Sequence, residues 1–228
     1  VEISLCTRGT RPPPRQPSRV AKMLEDKSFF AKSIDLPKVA ALYRDFFETV
    51  APRQRELLLS QLAWGDEEVV ELAGALPSFV ALESLDLSEN NIGAEGWKAL
   101  AAHVAASGSL TSLKLEGNAI GAEGAKAIAD ALRVNGSLTK LDVRYNGIEG
   151  DAAEQLAAAV LESKSMEEFG PIPIKGLRAN EVTELKLQRR DGGAWSNGLG
   201  PAEGRVIGSL LTVNRSLTKP NLYSDELG

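Results

Sequence analysis

The 228-residue sequence predicts an α/β solenoid of stacked strand–helix units. Three observations predict it. The first is a period: Asn90, Asn118 and Asn146 are spaced 28 residues apart. Leu82, Leu110 and Leu138 keep that step, as do Leu85, Leu113 and Leu141. The nonapeptide SENNIGAEG from Ser88 is nearly rewritten as EGNAIGAEG from Glu116. A fixed period of this length marks supersecondary units that bury their apolar faces only by stacking. The second observation is alternation, with Leu113 and Leu115 flanking Lys114 as in a short half-buried strand. The third is a stripe of apolar residues at three- and four-residue steps. It runs through Ala125, Ile128, Ala129 and Leu132, and its counterparts are Trp97, Leu100, Ala101 and Val104 before it and Ala153, Leu156, Ala157 and Val160 after it.

Taken in order, residues 1–34 read as an extended arm rich in proline and arginine. Within the first twenty residues Pro12–Pro14 and Pro17 accompany Arg8, Arg11, Arg15 and Arg19 against the single acid Glu2, a local charge of +3. Such a stretch buries too little apolar surface to fold alone, and any order in it is expected to come from a partner. Residues 35–53 read as a capping helix, with Asp35 as N-cap, Pro37 in the first turn and Pro52 ending it. Residues 54–228 read as repeats. A degenerate one starts near 54, regular ones start at 82, 110 and 138, and a short unit interrupted by Pro171 and Pro173 starts at 166. A further unit starts at 182 and carries an insertion over 188–196, and a partial one starts at 217. Pro220 in that last unit suits an edge strand. The sequons at Asn135 and Asn214 lie in a repeated V-N-x-S-L-T joint, which reads as structural chemistry and not as a glycan acceptor.

The segment LTSLKLEGNAIGAEGA, Leu110–Ala125, resembles the leucine-rich repeat family, in the 28-residue class typified by ribonuclease inhibitor and by the repeat domains of innate-immune receptors. The resemblance covers about 54–222. It implies a curved horseshoe with parallel strands on the concave side and helices on the convex side. It also implies a ladder of stacked side chains from Asn90, Asn118, Asn146 and Asn197 that satisfies backbone groups where the chain leaves each strand. Phe169–Leu187 resembles segments of repeat proteins abundant in algae and other protists.

Function is bounded mainly by what the sequence lacks. With a net charge of −5, of which the arm opposes +3, there is no basic face for nucleic acid, and nucleic acid is not an expected partner. No apolar run is long enough to span a membrane, so a soluble chain is expected. Cys6 is the only cysteine, which excludes an internal disulfide and favours an intracellular setting. The missing initiator Met and the basic arm suit an organellar protein, of plastid or mitochondrion, after removal of a targeting segment. His103 and Cys6 have no nucleophilic or metal-binding company in the sequence, and Gly198–Gly204 is one residue too long for a dinucleotide turn. No enzyme, cofactor or metal is expected.

The expected function is therefore a noncatalytic protein–protein interaction scaffold, an accessory or peripheral subunit of a multisubunit complex. The solvent-facing strand residues Asp86, Lys114, Asp142 and Lys186 alternate in sign, as a self-neutralising face would. Contact with a protein partner is assigned instead to irregular features: Arg8, Arg11, Arg15 and Arg19 in the arm, Arg189, Arg190 and Trp195 in the insertion, and Arg144 with Tyr145 at a strand end. Two other readings exist. The Ran activator resembles this repeat type and uses polar residues at strand ends, which would make Arg144, Tyr145 and Asn146 a GTPase-activating site. A sensor fragment of a larger receptor is the other.

Overall fold

Alternate leucines of each L-x-x-L-x-L segment have a core to enter while the residues between them meet water, and each segment becomes a short strand. A computed structural model describes residues 13–25, 32–186 and 199–221. In it β1 (Glu56–Leu58), β2 (Ser84–Asp86), β3 (Ser112–Lys114), β4 (Lys140–Asp142) and β5 (Glu168–Phe169) form one parallel sheet in chain order. The register follows the sequence period: Leu57 pairs with Leu85, Leu85 with Leu113, and Leu113 with Leu141. These leucines are buried together with Leu59, Leu87, Leu115 and Val143.

Helices α3 (Asp66–Ala75), α4 (Ala94–Ala106), α5 (Gly121–Val134) and α6 (Gly150–Glu162) follow β1 to β4 and pack side by side as the second layer. Trp97, Leu100 and Val104 of α4 are buried, as are Ala125, Ile128, Ala129 and Leu132 of α5 and their α6 counterparts. Small residues at these positions let neighbouring helices approach. The joints back to the next strand are polar but enclosed. Asn135 is 7% exposed, its Nδ2 donates to the Val104 and Ser107 carbonyls, and its Oδ1 accepts from the Ser137 and Leu138 N–H groups. Asn214 makes the same kind of turn, donating to the Leu177 carbonyl.

Helix α1 (Pro17–Glu25) lies inside the 1–34 segment for which extended chain was expected. Pro17 occupies its first position, where a proline costs no intrahelical hydrogen bond. Contacts within this chain hold its approach: Tyr43 Oη donates to the Arg15 carbonyl at 2.8 Å, and Gln16 Nε2 donates to the Gly74 carbonyl at 2.6 Å. Helix α2 (Lys32–Val50) begins three residues ahead of Asp35, and a 3-10 turn, Ala51–Arg53, holds Pro52. Phe47 is buried, stacked on Tyr43 and edge-on to Phe79 at 5.8 Å, which seats α2 on the first repeats. Phe46 and Leu42 of the same helix face solvent.

After α6 the period breaks. Met166 and Phe169 enter the core as leucines would, but Gly170 turns the chain with φ +54°, and α7 (Ile174–Arg178) is only five residues long. Strand β6 (Glu184–Lys186) then pairs with β7 (Lys219–Asn221) in a separate two-stranded parallel sheet, and α8 (Pro201–Val213) packs directly on α6. The described residues of 54–221 are therefore one helix layer over two sheets. The 16 residues between the unit starts at 166 and 182 are too few for a strand, a full helix and two turns. Pro220 of β7 pairs in register with Leu185, and among the described residues β7 has β6 as its one neighbouring strand. No described helix is long and apolar enough to cross a membrane.

Candidate functional site

The turn that leaves each strand exposes backbone donors and acceptors in the interior, and an unpaired one would cost about 1–3 kcal/mol. Carboxamides of the following repeat answer them. Asn90 Oδ1 accepts from the Leu62 and Trp64 N–H groups, Asn118 Oδ1 from Ile92, and Asn146 Oδ1 from Ile120. Each Nδ2 donates to its own repeat's leucine or valine carbonyl and to that of the repeat before. Asn118 thus reaches Leu115 and Leu87, and Asn146 reaches Val143 and Leu115.

The pattern stops at the break. Residue 174, one period beyond Asn146, is a buried isoleucine. A cleft of about 190 Å³ opens there between the fourth turn, Val143–Glu149, and the start of α8, Leu199–Glu203. Val143 and Ile148 line it; among the described residues the Ile148 N–H has no hydrogen-bond partner and the Val143 carbonyl accepts from Asn146 alone. Tyr145, with φ +56°, stands 38% exposed at this turn.

Three charged residues line the cleft, Arg144, Glu149 and Glu203, and the first and last are held by hydrogen bonds. Arg144 is wrapped by carboxylates: its Nη2 donates to Asp142 Oδ2 at 2.7 Å, its Nε to Asp142 Oδ1 at 3.0 Å, and Glu116 Oε2 lies at 3.4 Å. The Asp142 hydrogen bond, against the opposing effect of burial, raises the guanidinium above its ordinary value. Its stem packs over Gly170, where a Cβ would meet the Arg144 side chain at 3.5 Å. Glu203 is 3% exposed, and its Oε2 accepts from the Gly200 N–H at 2.9 Å as the N-terminal cap of α8. Burial pushes this carboxyl above the usual carboxylate range, although backbone hydrogen bonds oppose the rise.

Elsewhere on the strand face the charges consume one another. Lys114 pairs with Asp86 at 3.6 Å and Lys140 with Glu168 at 2.9 Å. At the N-terminal end, Arg15 and Arg19 both hydrogen-bond Glu71 of α3. Burial alone would raise the Glu71 carboxyl, but the hydrogen bonds and charges of the two arginines outweigh it and leave it lowered. No group of three or more metal-ligating side chains occurs among the described residues.

The leucine-rich repeat model matches residues 82–101, 107–129 and 134–157, the three segments in which strand, asparagine and helix recur in register. Residues 82–157 are leucine-rich repeats. No curated protein matches its sequence. Among solved structures, the actin-binding site 2 domain of leiomodin-1 is 23% identical with a TM-score of 0.50, over 55% of this chain and 75% of its own. The tropomodulin C-terminal domain of Caenorhabditis elegans is 15% identical with a TM-score of 0.53, over 73% and 88% respectively. At these identities the similarity is one of fold.

Set on the leucine-rich repeat framework, the residues singled out from the sequence separate. Arg144 and Tyr145 line the cleft, with Asn146 at its base as the last described rung of the ladder. Arg15 and Arg19 lie at the other end of the solenoid, on Glu71. Arg8, Arg11, Arg189, Arg190, Trp195 and Asn197 fall outside the described residues. His103 is half-buried on α4, and burial lowers its imidazole below the ordinary value. Three residues of consequence escaped the sequence reading. Glu71 had no signal. Glu203 had one: GPAEG places its glutamate third in the helix where GAEG places Glu95 second, and one step of about 100° turns the side chain inward. Arg178 had none, yet its guanidinium donates to the Ser163 and Leu161 carbonyls at 3.0 and 2.6 Å and closes the end of α6, the task asparagine performs at the regular joints.

Proposed function

We propose that this protein is a noncatalytic protein-interaction scaffold, an accessory subunit of a larger assembly, and that it holds its partner at the repeat break. The observation that carries the reading is a contrast in how polar groups are spent. Along β2 to β5 the exposed charges are paired with one another, while the break presents a cleft with polar walls and Tyr145 exposed beside it. Aromatic side chains beside partly buried polar groups are the usual anchors of protein interfaces. The arm and the insertion, with Arg8, Arg11, Arg189, Arg190 and Trp195, extend the proposed contact. An organellar location belongs to the same proposal and rests on the basic character of the arm.

The GTPase-activating alternative would employ Arg144, Tyr145 and Asn146. Arg144 is bound to two carboxylates and Asn146 to four backbone groups, so neither is presented to a nucleotide in this arrangement. The leiomodin domain is an actin-binding site, which makes actin one partner to assay.

The test is native purification from the source followed by mass spectrometry of what co-migrates, repeated with Tyr145→Ala. The scaffold reading expects one defined assembly with wild type and at least a severalfold loss of it with the variant, at an unchanged melting temperature. A free monomer of about 24 kDa in both preparations sinks the reading.

A further inference from the structure

We propose that Ser18 is a phosphorylation site guarded by Glu71, and that its phosphate draws Arg15 and Arg19 off helix α3. Ser18 follows Pro17 in the first turn of α1 and is exposed. Arg15 is the one arginine of the sequence that stands three residues before a serine, and Arg19 comes directly after that serine. Positive charge at this spacing is what the acidic substrate groove of a basophilic serine kinase selects. In the folded chain both arginines are already engaged. Arg15 Nε hydrogen-bonds Glu71 Oε2, and Arg19 reaches Glu71 Oε1 through Nε at 3.0 Å and Nη2 at 2.7 Å. The Tyr43 hydroxyl donates to the Arg15 carbonyl and accepts from the Arg15 N–H at 3.3 Å, which fixes the chain just ahead of Ser18. A kinase groove that binds Arg15 must first take it from Glu71. Thr218 stands in the same relation to Arg215, but its hydroxyl and its N–H both donate to the Thr183 carbonyl beside the β6–β7 pair.

The step is phosphoryl transfer from a nucleoside triphosphate. Ser18 Oγ bonds to the γ-phosphorus, the bond from that phosphorus to the β–γ bridging oxygen breaks, the nucleoside diphosphate leaves, and the hydroxyl proton passes to the carboxylate base of the kinase. The product carries a charge of about −1.5 to −2 at pH 7 and three acceptor oxygens. It lies between Arg15 and Arg19 in the chain and one helical turn before Lys22, so cations surround it within its own segment. Glu71 offers the same arginines one carboxylate on another helix, and the phosphate repels that carboxylate as a like charge. Position in the fold gives this clasp its consequence. Lys98–Glu95, Lys126–Glu123 and Arg133–Asp130 each lie within one helix, where a lost pair moves nothing else. The pairs of Arg15 and Arg19 with Glu71 join segments 56 and 52 residues apart, so losing them loosens the N-terminal segment from α3. The modification thus opens the clasp that restrains it.

The experiment treats the ¹⁵N-labelled full chain with MgATP and a serine kinase that selects arginine three residues before its target, and locates the phosphate by mass spectrometry. Wild type is compared with Glu71→Gln, which keeps the shape of the side chain and removes its charge. The expected result is phosphate on Ser18 in both, with an initial rate about fivefold higher in the variant, because the rate follows the fraction of chains in which the arginines are free. In phosphorylated wild type the Arg15 and Arg19 Nε–H resonances should move to the positions they hold in Glu71→Gln. No phosphate on Ser18 in either chain, phosphate on Thr218 in its place, or equal rates in the two chains overturns the proposal. Arginine resonances that stay at their original positions after phosphorylation overturn it as well. None of these readouts needs the native partner, so failure here leaves the scaffold reading standing, and a monomer in the native preparation leaves this result interpretable.

Discussion

Residues 82–157 and residues 166–221 are built from the same motif, and they end in different structures. In the first region every strand is paired in register on each side, and every ladder asparagine is bonded to the repeat before it. In the second region one unit is shortened. The helix layer closes over the gap, with α8 on α6, but the strand layer does not. Apolar packing is nondirectional and tolerates the change, whereas hydrogen-bonded ladders require fixed spacing. The break is therefore polar in character: a buried glutamate at the start of α8 and an arginine doing an asparagine's work.

Breaking a rung in the regular region should have the largest effect. Asn118→Ala leaves the Ile92 N–H and the Leu87 and Leu115 carbonyls short of a partner. A loss of about 3 kcal/mol is expected, measured by urea unfolding. A loss below about 1 kcal/mol would mean that the ladder is no stronger than the break.

A smaller effect is expected from Arg178→Ala, which removes hydrogen bonds to the Ser163, Leu161 and Val160 carbonyls. About 1–2 kcal/mol should be lost. Native-state hydrogen exchange should show the loss in α6–α8 and the β6–β7 pair, while β2 and β3 keep their protection. Uniform acceleration across the chain would show that the two regions unfold as one.

The smallest effect sharpens the comparison by pH. The Glu203 carboxyl is raised in the folded state, so its charge opposes folding. Its contribution is most favourable below the ordinary carboxylate range and is lost as pH rises through the interval up to the raised folded value. Glu203→Gln keeps an oxygen for the Gly200 N–H and should remove that pH dependence, with equal or slightly higher stability at neutral pH. Thermal melts across that interval check it, and a variant as pH-sensitive as wild type would contradict it.

The difference between the regions also explains what the sequence disclosed. Where Leu85, Leu113 and Leu141 recur at one period, position in the chain sets position in the stack, and the regular repeats were readable down to which leucine pairs with which. The break was readable as an event, from Pro171, Pro173 and the shortened unit, but not in its outcome. Nothing local to Ile174 or Phe169 states that the sheet will divide while the helices do not. That outcome depends on how α8 finds α6 across the gap. The site was half legible for the same reason. Arg144 and Tyr145 stand out as strand-end residues, but the restraint of Arg144 by Glu116 spans 28 residues and belongs to the stack. Helix α1 was missed because proline and arginine content argued for extended chain, while Tyr43, Glu71 and Gly74, which order its approach, lie 28 to 58 residues away in sequence.

The forward reach of the ladder has a consequence for how the molecule is made. Each asparagine completes the repeat that precedes it, so a repeat leaving the ribosome cannot satisfy its own turn until another period of chain has followed. Folding during synthesis would trail elongation by one unit throughout. A translational pause after the fourth helix would hold the nascent chain with its leading turn unsealed.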